Sequence, residues 1–194
     1  VVWAVREYFS LDTCREWTVE AGRPDTFSKE KLRVMQEAGV TRLSINPQTF
    51  DDRVLRRIGR GHTTEQTLEA FAMARGMGFG NINMDLIAGL PGETEEGFCH
   101  SLEEALRLSP ESITVHTLSL KRSSRLNQDG KGTFVHNADA VGAMLREAQE
   151  KLSGGGYRPY YLYRQSRMAG NLENTGWAKP GYENLYNVYI MDET

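Results

Sequence analysis

The sequence predicts an α/β fold, a partial (β/α) TIM-like barrel with helices outside a parallel sheet, followed by a short C-terminal extension. Two observations predict it. Segments that alternate with a period of two are separated by segments with helical spacing, the order of successive βαβ units. Each alternating segment also keeps one apolar and one polar face, whereas a parallel strand covered on both sides is nearly all apolar. A polar second face suits the lumen of a barrel, whose sites lie at the carboxyl ends of the strands.

Taken in order, residues 15–20 set Trp17 and Val19 against Thr18 and Glu20, a first strand. Residues 28–38 carry Leu32 and Met35 at helical spacing and stop at Gly39. A second strand, 41–48, alternates Leu43 and Ile45 with Ser44, Asn46 and Gln48. The next helix opens at Thr63, where Gln66 completes a capping box, and runs through Leu68, Phe71 and Ala72. Residues 80–87 place Ile82, Met84 and Leu86 opposite Asn83 and Asp85. A Gly-Leu-Pro-Gly turn (89–92) leads to a cap at Thr94 and a helix with Phe98, Leu102, Ala105 and Leu106 on one face. Residues 112–119 read as a fourth strand, with Ile113 and Val115 against Thr114 and His116. Residues 121–132 read as a polar loop, 137–153 as a helix, 157–163 as an aromatic strand and 184–190 as a last strand. The expected division is 1–156 for the partial barrel and 157–194 for its final strand and the extension.

Composition narrows the function. A net charge of −3 leaves no basic footprint for nucleic acid, and no apolar run approaches a membrane span. Two cysteines, Cys14 and Cys99, exclude a disulfide framework and fit a reducing, cytoplasmic setting. Four strands cannot close a barrel and the chain opens on Val1, so it is expected to be a piece of a longer protein. Glu20, Gln48 and Asp85, at or near strand ends, are expected to converge.

From Glu20 to Ser119 the sequence resembles the oxygen-independent coproporphyrinogen III oxidase family of the radical S-adenosylmethionine (SAM) superfamily. The resemblance rests on Glu20-Ala21-Gly22-Arg23-Pro24, on Leu43-Ser44-Ile45-Asn46-Pro47-Gln48-Thr49-Phe50, on Arg57 to Thr63, and on Asn83-Met84-Asp85-Leu86-Ile87-Ala88-Gly89-Leu90-Pro91. Asn46-Pro47 departs from the family's small residues. The Cys-x-x-x-Cys-x-x-Cys loop that holds a [4Fe–4S] cluster in such enzymes is absent, and Cys14 and Cys99 have the wrong spacing to replace it.

The resemblance implies a haem-biosynthetic enzyme. With SAM and a [4Fe–4S] cluster it would oxidatively decarboxylate the propionates of coproporphyrinogen III to vinyls, served by an electron donor such as flavodoxin or ferredoxin. By itself this stretch is expected to be inactive. It also implies the SAM contacts. Asp85 and Gln48 suit the ribose diol, Arg60 the methionine carboxylate, and Glu20 a further SAM contact, with Leu118 or Ser119 lining the adenine. No side chain is assigned a catalytic role, and none a metal. Gln48 and Asp85 can equally be structural, His62 reads as structural, and His116 as either a satisfied lumen histidine or a cofactor contact. A haem-binding chaperone built on the same barrel, and a radical SAM enzyme with another substrate, are the competing functions.

Overall fold

Alternation becomes a strand wherever helices can cover its apolar side. In the computed structural model, which describes residues 1–118, 138–164 and 172–191, this happens four times in succession. The strands β1 (Thr18–Gly22), β2 (Arg42–Gln48), β3 (Ile82–Ala88) and β4 (Ser112–Thr117) lie side by side and parallel. Between them run α2 (Lys29–Ala38), α3 (Asp52–Arg57) with α4 (Thr64–Gly76), and α5 (Glu95–Leu108); α1 (Val2–Tyr8) precedes β1.

The helix boundaries follow from capping chemistry. Ser28 accepts from the Lys31 amide, and α2 ends at Gly39, whose φ of 93° favours a residue without Cβ. Thr63 and Gln66 form the expected capping box of α4. The Thr94 hydroxyl accepts from the Gly97 amide at the start of α5. The helix α3 was not anticipated; Asp51 opens it by accepting from the amides of Arg53 and Val54.

After α6 (Ala138–Gly154) come β5 (Arg158–Tyr163) and β6 (Asn174–Ala178), giving a six-stranded sheet ordered β1-β2-β3-β4-β6-β5. The expected parallel sheet is found in β1 to β4, and one strand departs from it. β6 runs antiparallel to both β4 and β5. Only residues 164–173 join β5 to β6, fewer than the dozen or more that a parallel crossover requires. β5 still runs in the direction of β4 after the α6 crossover, and β6 folds back into the space between them. A correction concerns residues 184–190, which form not a strand but the helix α7 (Leu185–Met191). Asn184 initiates it by accepting from the Asn187 amide.

The core lies between the helices and one face of the sheet. Leu43, Ile45, Ile82, Met84, Leu86, Ile113 and Val115 meet Phe71, Phe98, Leu102, Met144 and Leu152 there. Helix α7 lies against the opposite, polar face at the amino end of the parallel strands. Asn184 Nδ2 donates to Glu16 Oε1 and the Leu185 amide to Glu16 Oε2, just ahead of β1. Asn187 Nδ2 donates to the Tyr160 hydroxyl in β5. Residues 184 and 187 sit about one helical turn, roughly 5 Å, apart. The two outermost strands of the sheet therefore curl toward each other across the polar face. No helix among the described residues is long and apolar enough to cross a membrane.

Candidate functional site

The polar face carries the residues that alternation assigned to it. Thr18 and Glu20 come from β1, Arg42, Ser44 and Asn46 from β2, Asn83 and Asp85 from β3, and Ser112, Thr114 and His116 from β4. Glu20, Arg42, Asn83, Asp85, Thr114 and His116 line a cleft of about 430 Å³, with Tyr161 of β5 and Tyr186 and Asn187 at its base. That volume is within the range of small-molecule sites.

These side chains form one connected and directional hydrogen-bond network. Arg42 Nη2 donates to Ser112 Oγ at 3.0 Å, and Ser112 donates to Asn83 Oδ1 at 3.0 Å. Asn83 Nδ2 donates both to Ser44 Oγ (3.0 Å) and to Asp85 Oδ1 (2.7 Å). Ser44 donates to Asn46 Oδ1 at 2.7 Å, and Asn46 Nδ2 donates to Glu20 Oε2 at 3.2 Å. A guanidinium only donates and a carboxylate only accepts, so the ends of the network set the direction of every hydroxyl and amide between them. Two carboxylates, Glu20 and Asp85, are thus held on the polar face at the middle of β1 and β3. His116 Nε2 stands 3.6 Å from Asp85 Oδ2.

The structure brings Glu20 and Asp85 into one cleft, as expected, but Gln48 is not among the residues lining it. The reason is local. The β2–β3 register steps from Ile45↔Met84 to Gln48↔Leu86, one residue more on β2 than on β3. Pro47 has no N–H to donate to the ladder, and Gln48 takes a φ of 69°. Alternation on the polar face therefore ends at Asn46, and Gln48 is buried with 6% exposure.

Arg60 stands on the turn after α3. That turn is tied to the end of β2 by a 3.2 Å contact between His62 Nε2 and the Pro47 carbonyl. Burial pushes the His62 imidazole below its ordinary range. Leu118 follows β4, its amide donating to the Ala88 carbonyl, while Ser119 lies outside the described residues.

Sequence reasoning missed Arg42, and it placed Asn46 on the polar face without assigning it a role. It also missed Glu93, just beyond the Gly-Leu-Pro-Gly turn. Glu93 is 2% exposed; its Oε1 accepts from Thr49 Oγ1, and burial lifts its carboxyl to about 7.

A vicinal diol and a cationic amino acid need carboxylate and amide partners, which Glu20, Asn46 and Asp85 supply, so the residues present fit SAM. They do not fit an iron–sulfur cluster. Cys14 is exposed and hydrogen-bonds the Glu16 carbonyl, Cys99 sits between α5 and α6, and no group of metal-binding side chains occurs among the described residues.

The family model of the radical SAM superfamily matches residues 12–105, the stretch that contains Glu20, Gln48, Arg60 and Asp85. The chain is 48% identical over 189 residues to the oxygen-independent coproporphyrinogen-III oxidase-like protein HemZ of Bacillus subtilis, covering 97% of this chain and 38% of that protein. It is 35% identical over 176 residues to the heme chaperone HemW of the same organism, covering 89% and 43% respectively. The solved structure of coproporphyrinogen III oxidase (HemN) from Escherichia coli superposes with a TM-score of 0.77 at 23% identity, over 98% of this chain and 41% of that one. The chain thus spans about two-fifths of the length of the curated relatives it matches, and the HemN likeness establishes the fold.

Proposed function

Because the chain belongs to the radical SAM superfamily, we propose that it forms the SAM- and substrate-holding part of an enzyme that decarboxylates coproporphyrinogen III propionates to vinyl groups. The observation that carries this reading is the carboxylate-and-amide row of Glu20, Asn46 and Asp85, held on the polar face by a network that fixes its direction.

In this reading Asp85 accepts from the ribose diol of SAM, a role the family resemblance also gives to Gln48. Glu20 takes the amino group, Arg60 pairs with the methionine carboxylate, and Leu118 and Ser119 flank the adenine. When bound, SAM supplies the carbon-centred radical chemistry of its superfamily. The chain's own part is to bind, orient and exclude water. The overall change balances as follows: –CH2–CH2–CO2⁻ becomes –CH=CH2 and CO2, releasing one hydrogen atom and one electron. An electron acceptor is therefore required beside the hydrogen-accepting radical.

The 35% match to a heme chaperone favours a second reading, in which the same barrel holds haem. Two measurements separate the readings. The first is calorimetric titration of the full chain with SAM. Asp85→Ala and Glu20→Ala are each expected to weaken binding by roughly tenfold or more, the loss of a charge-assisted hydrogen bond. Unchanged affinity in both would remove the site assignment. The second uses a protein of the relatives' full length carrying this chain, supplied anaerobically with SAM, reductant and coproporphyrinogen III. Vinyl products support the enzyme reading. Stoichiometric haem binding without product moves the reading to a chaperone.

A further inference from the structure

One charged group in the cleft is not among the residues assigned to contact SAM. Arg42 is only 3% exposed and lines the cleft floor, and no carboxylate lies within ion-pair distance of it among the described residues. Its hydrogen bond runs from Nη2 to the Ser112 hydroxyl, while Nε is buried without a partner. A guanidinium carries five N–H donors and is not deprotonated in proteins, so it calls for an anion.

The surroundings do not supply one. Glu16, the carboxylate on the same floor, has both oxygens engaged by the start of α7, through Asn184 Nδ2 and the Leu185 amide. Asp85 is held higher up by Asn83, and Glu20 by Asn46. The guanidinium charge does reach the buried hydroxyls of Tyr160 and Tyr161, which it favours toward ionisation against the stronger opposing effect of burial.

We propose that Arg42 is a substrate-anchoring residue that pairs with a carboxylate of the substrate, one that does not react. The inference rests on the decarboxylase reading above and adds the group by which the substrate is recognised. Position decides which carboxylate it is. Ser44 pairs with Asn83 across the β2–β3 ladder, which brings Asn46 level with Asp85. Arg42 is four residues below Asn46 along β2, about 13 Å. The carbon that loses hydrogen must lie near the SAM row, and its own carboxylate is only two bonds away. Arg42 stands at the far end of the hydrogen-bond chain that runs from Asp85 through Asn83 and Ser112, so it is placed for a different acidic arm of a substrate with several. Pairing there leaves the reacting carboxylate unneutralised and able to depart as CO2.

The test uses equilibrium binding to the full chain, with coproporphyrin III and its tetramethyl ester as probes, followed by fluorescence. The wild type is expected to prefer the acid by about tenfold or more. Arg42→Gln is expected to lose that preference and Arg42→Lys to keep part of it, with SAM affinity measured beside each and falling by less than the preference for the acid. An unchanged acid-to-ester ratio in Arg42→Gln overturns the proposal, as does a selective loss of SAM affinity, which would make Arg42 a SAM ligand. Circular dichroism establishes folding; if Arg42→Gln unfolds, the graded loss in Arg42→Lys decides. If the wild type binds neither porphyrin, the substrate reading fails separately. Glutarate then serves as the probe: saturable movement of the Arg42 Nε resonance preserves a carboxylate site, and no movement ends it.

Discussion

Asn83 is the junction of the site, because its one amide side chain connects Ser44, Asp85, Ser112 and Thr114. Asn83→Ala is expected to leave buried hydroxyls without partners and to cost about 1–3 kcal/mol in urea unfolding. A variant as stable as wild type would show that the hydroxyls re-pair locally. Glu93 makes a pH prediction. Its folded carboxyl titrates at about 7 against an ordinary 4.5, so the folded state binds the proton more tightly. Stability from this group is complete below about pH 4.5 and is lost as pH rises through 7, on the order of 3 kcal/mol in all. Glu93→Gln should flatten that slope between pH 5 and 8 and raise stability at pH 8. Equal slopes in the two proteins would exclude Glu93 as the source.

At the scale of elements, the β5–β6 pair is organised around a glycine. A Cβ on Gly176 would run into the Tyr161 ring, which lies over it where β6 faces β5. Gly176→Ala is expected to cost about 1–3 kcal/mol by overpacking, and Tyr161→Ala should recover part of that loss in the double variant. Strictly additive effects in the double-mutant cycle would mean the ring moves aside freely. Helix α4 offers a simpler case. Thr63→Ala removes half of a capping box, for an expected loss of about 1 kcal/mol by thermal or urea unfolding.

For the molecule as a whole, the sheet has β1 at one side and β5 at the other, each paired with a single neighbour among the described strands. Strands with an unpaired side template association between chains. Leu162 of β5 is 59% exposed. Light scattering of the 194-residue chain should therefore show concentration-dependent self-association, and Leu162→Lys should reduce it without lowering the melting temperature. A wild-type monomer at high concentration would count against both statements. Helix α7 works at this scale too, since it reaches from Glu16, two residues ahead of β1, to Tyr160 of β5 at the amino end of the parallel strands.

The sequence by itself determined the four parallel strands, the helices α2, α4 and α5 between them, the caps at Thr63 and Thr94, and the polar face on which Glu20 and Asp85 meet. These are period-two, period-3.6 and capping signals, each carried within a few adjacent residues, so they survive without tertiary information. Only the tertiary structure decided the rest. It took Gln48 off the cleft lining, because the Pro47 irregularity shows only in the ladder with β3. It turned β6 back into the sheet, because the return path is too short for a crossover. It made residues 184–190 a helix, because Glu16 and Tyr160, far away in sequence, anchor its start. It also gave Arg42 its character, since a guanidinium at the start of a strand is ordinary in sequence. Here neighbouring strands bury it while Asn184 and Leu185 occupy the one carboxylate beside it on the floor.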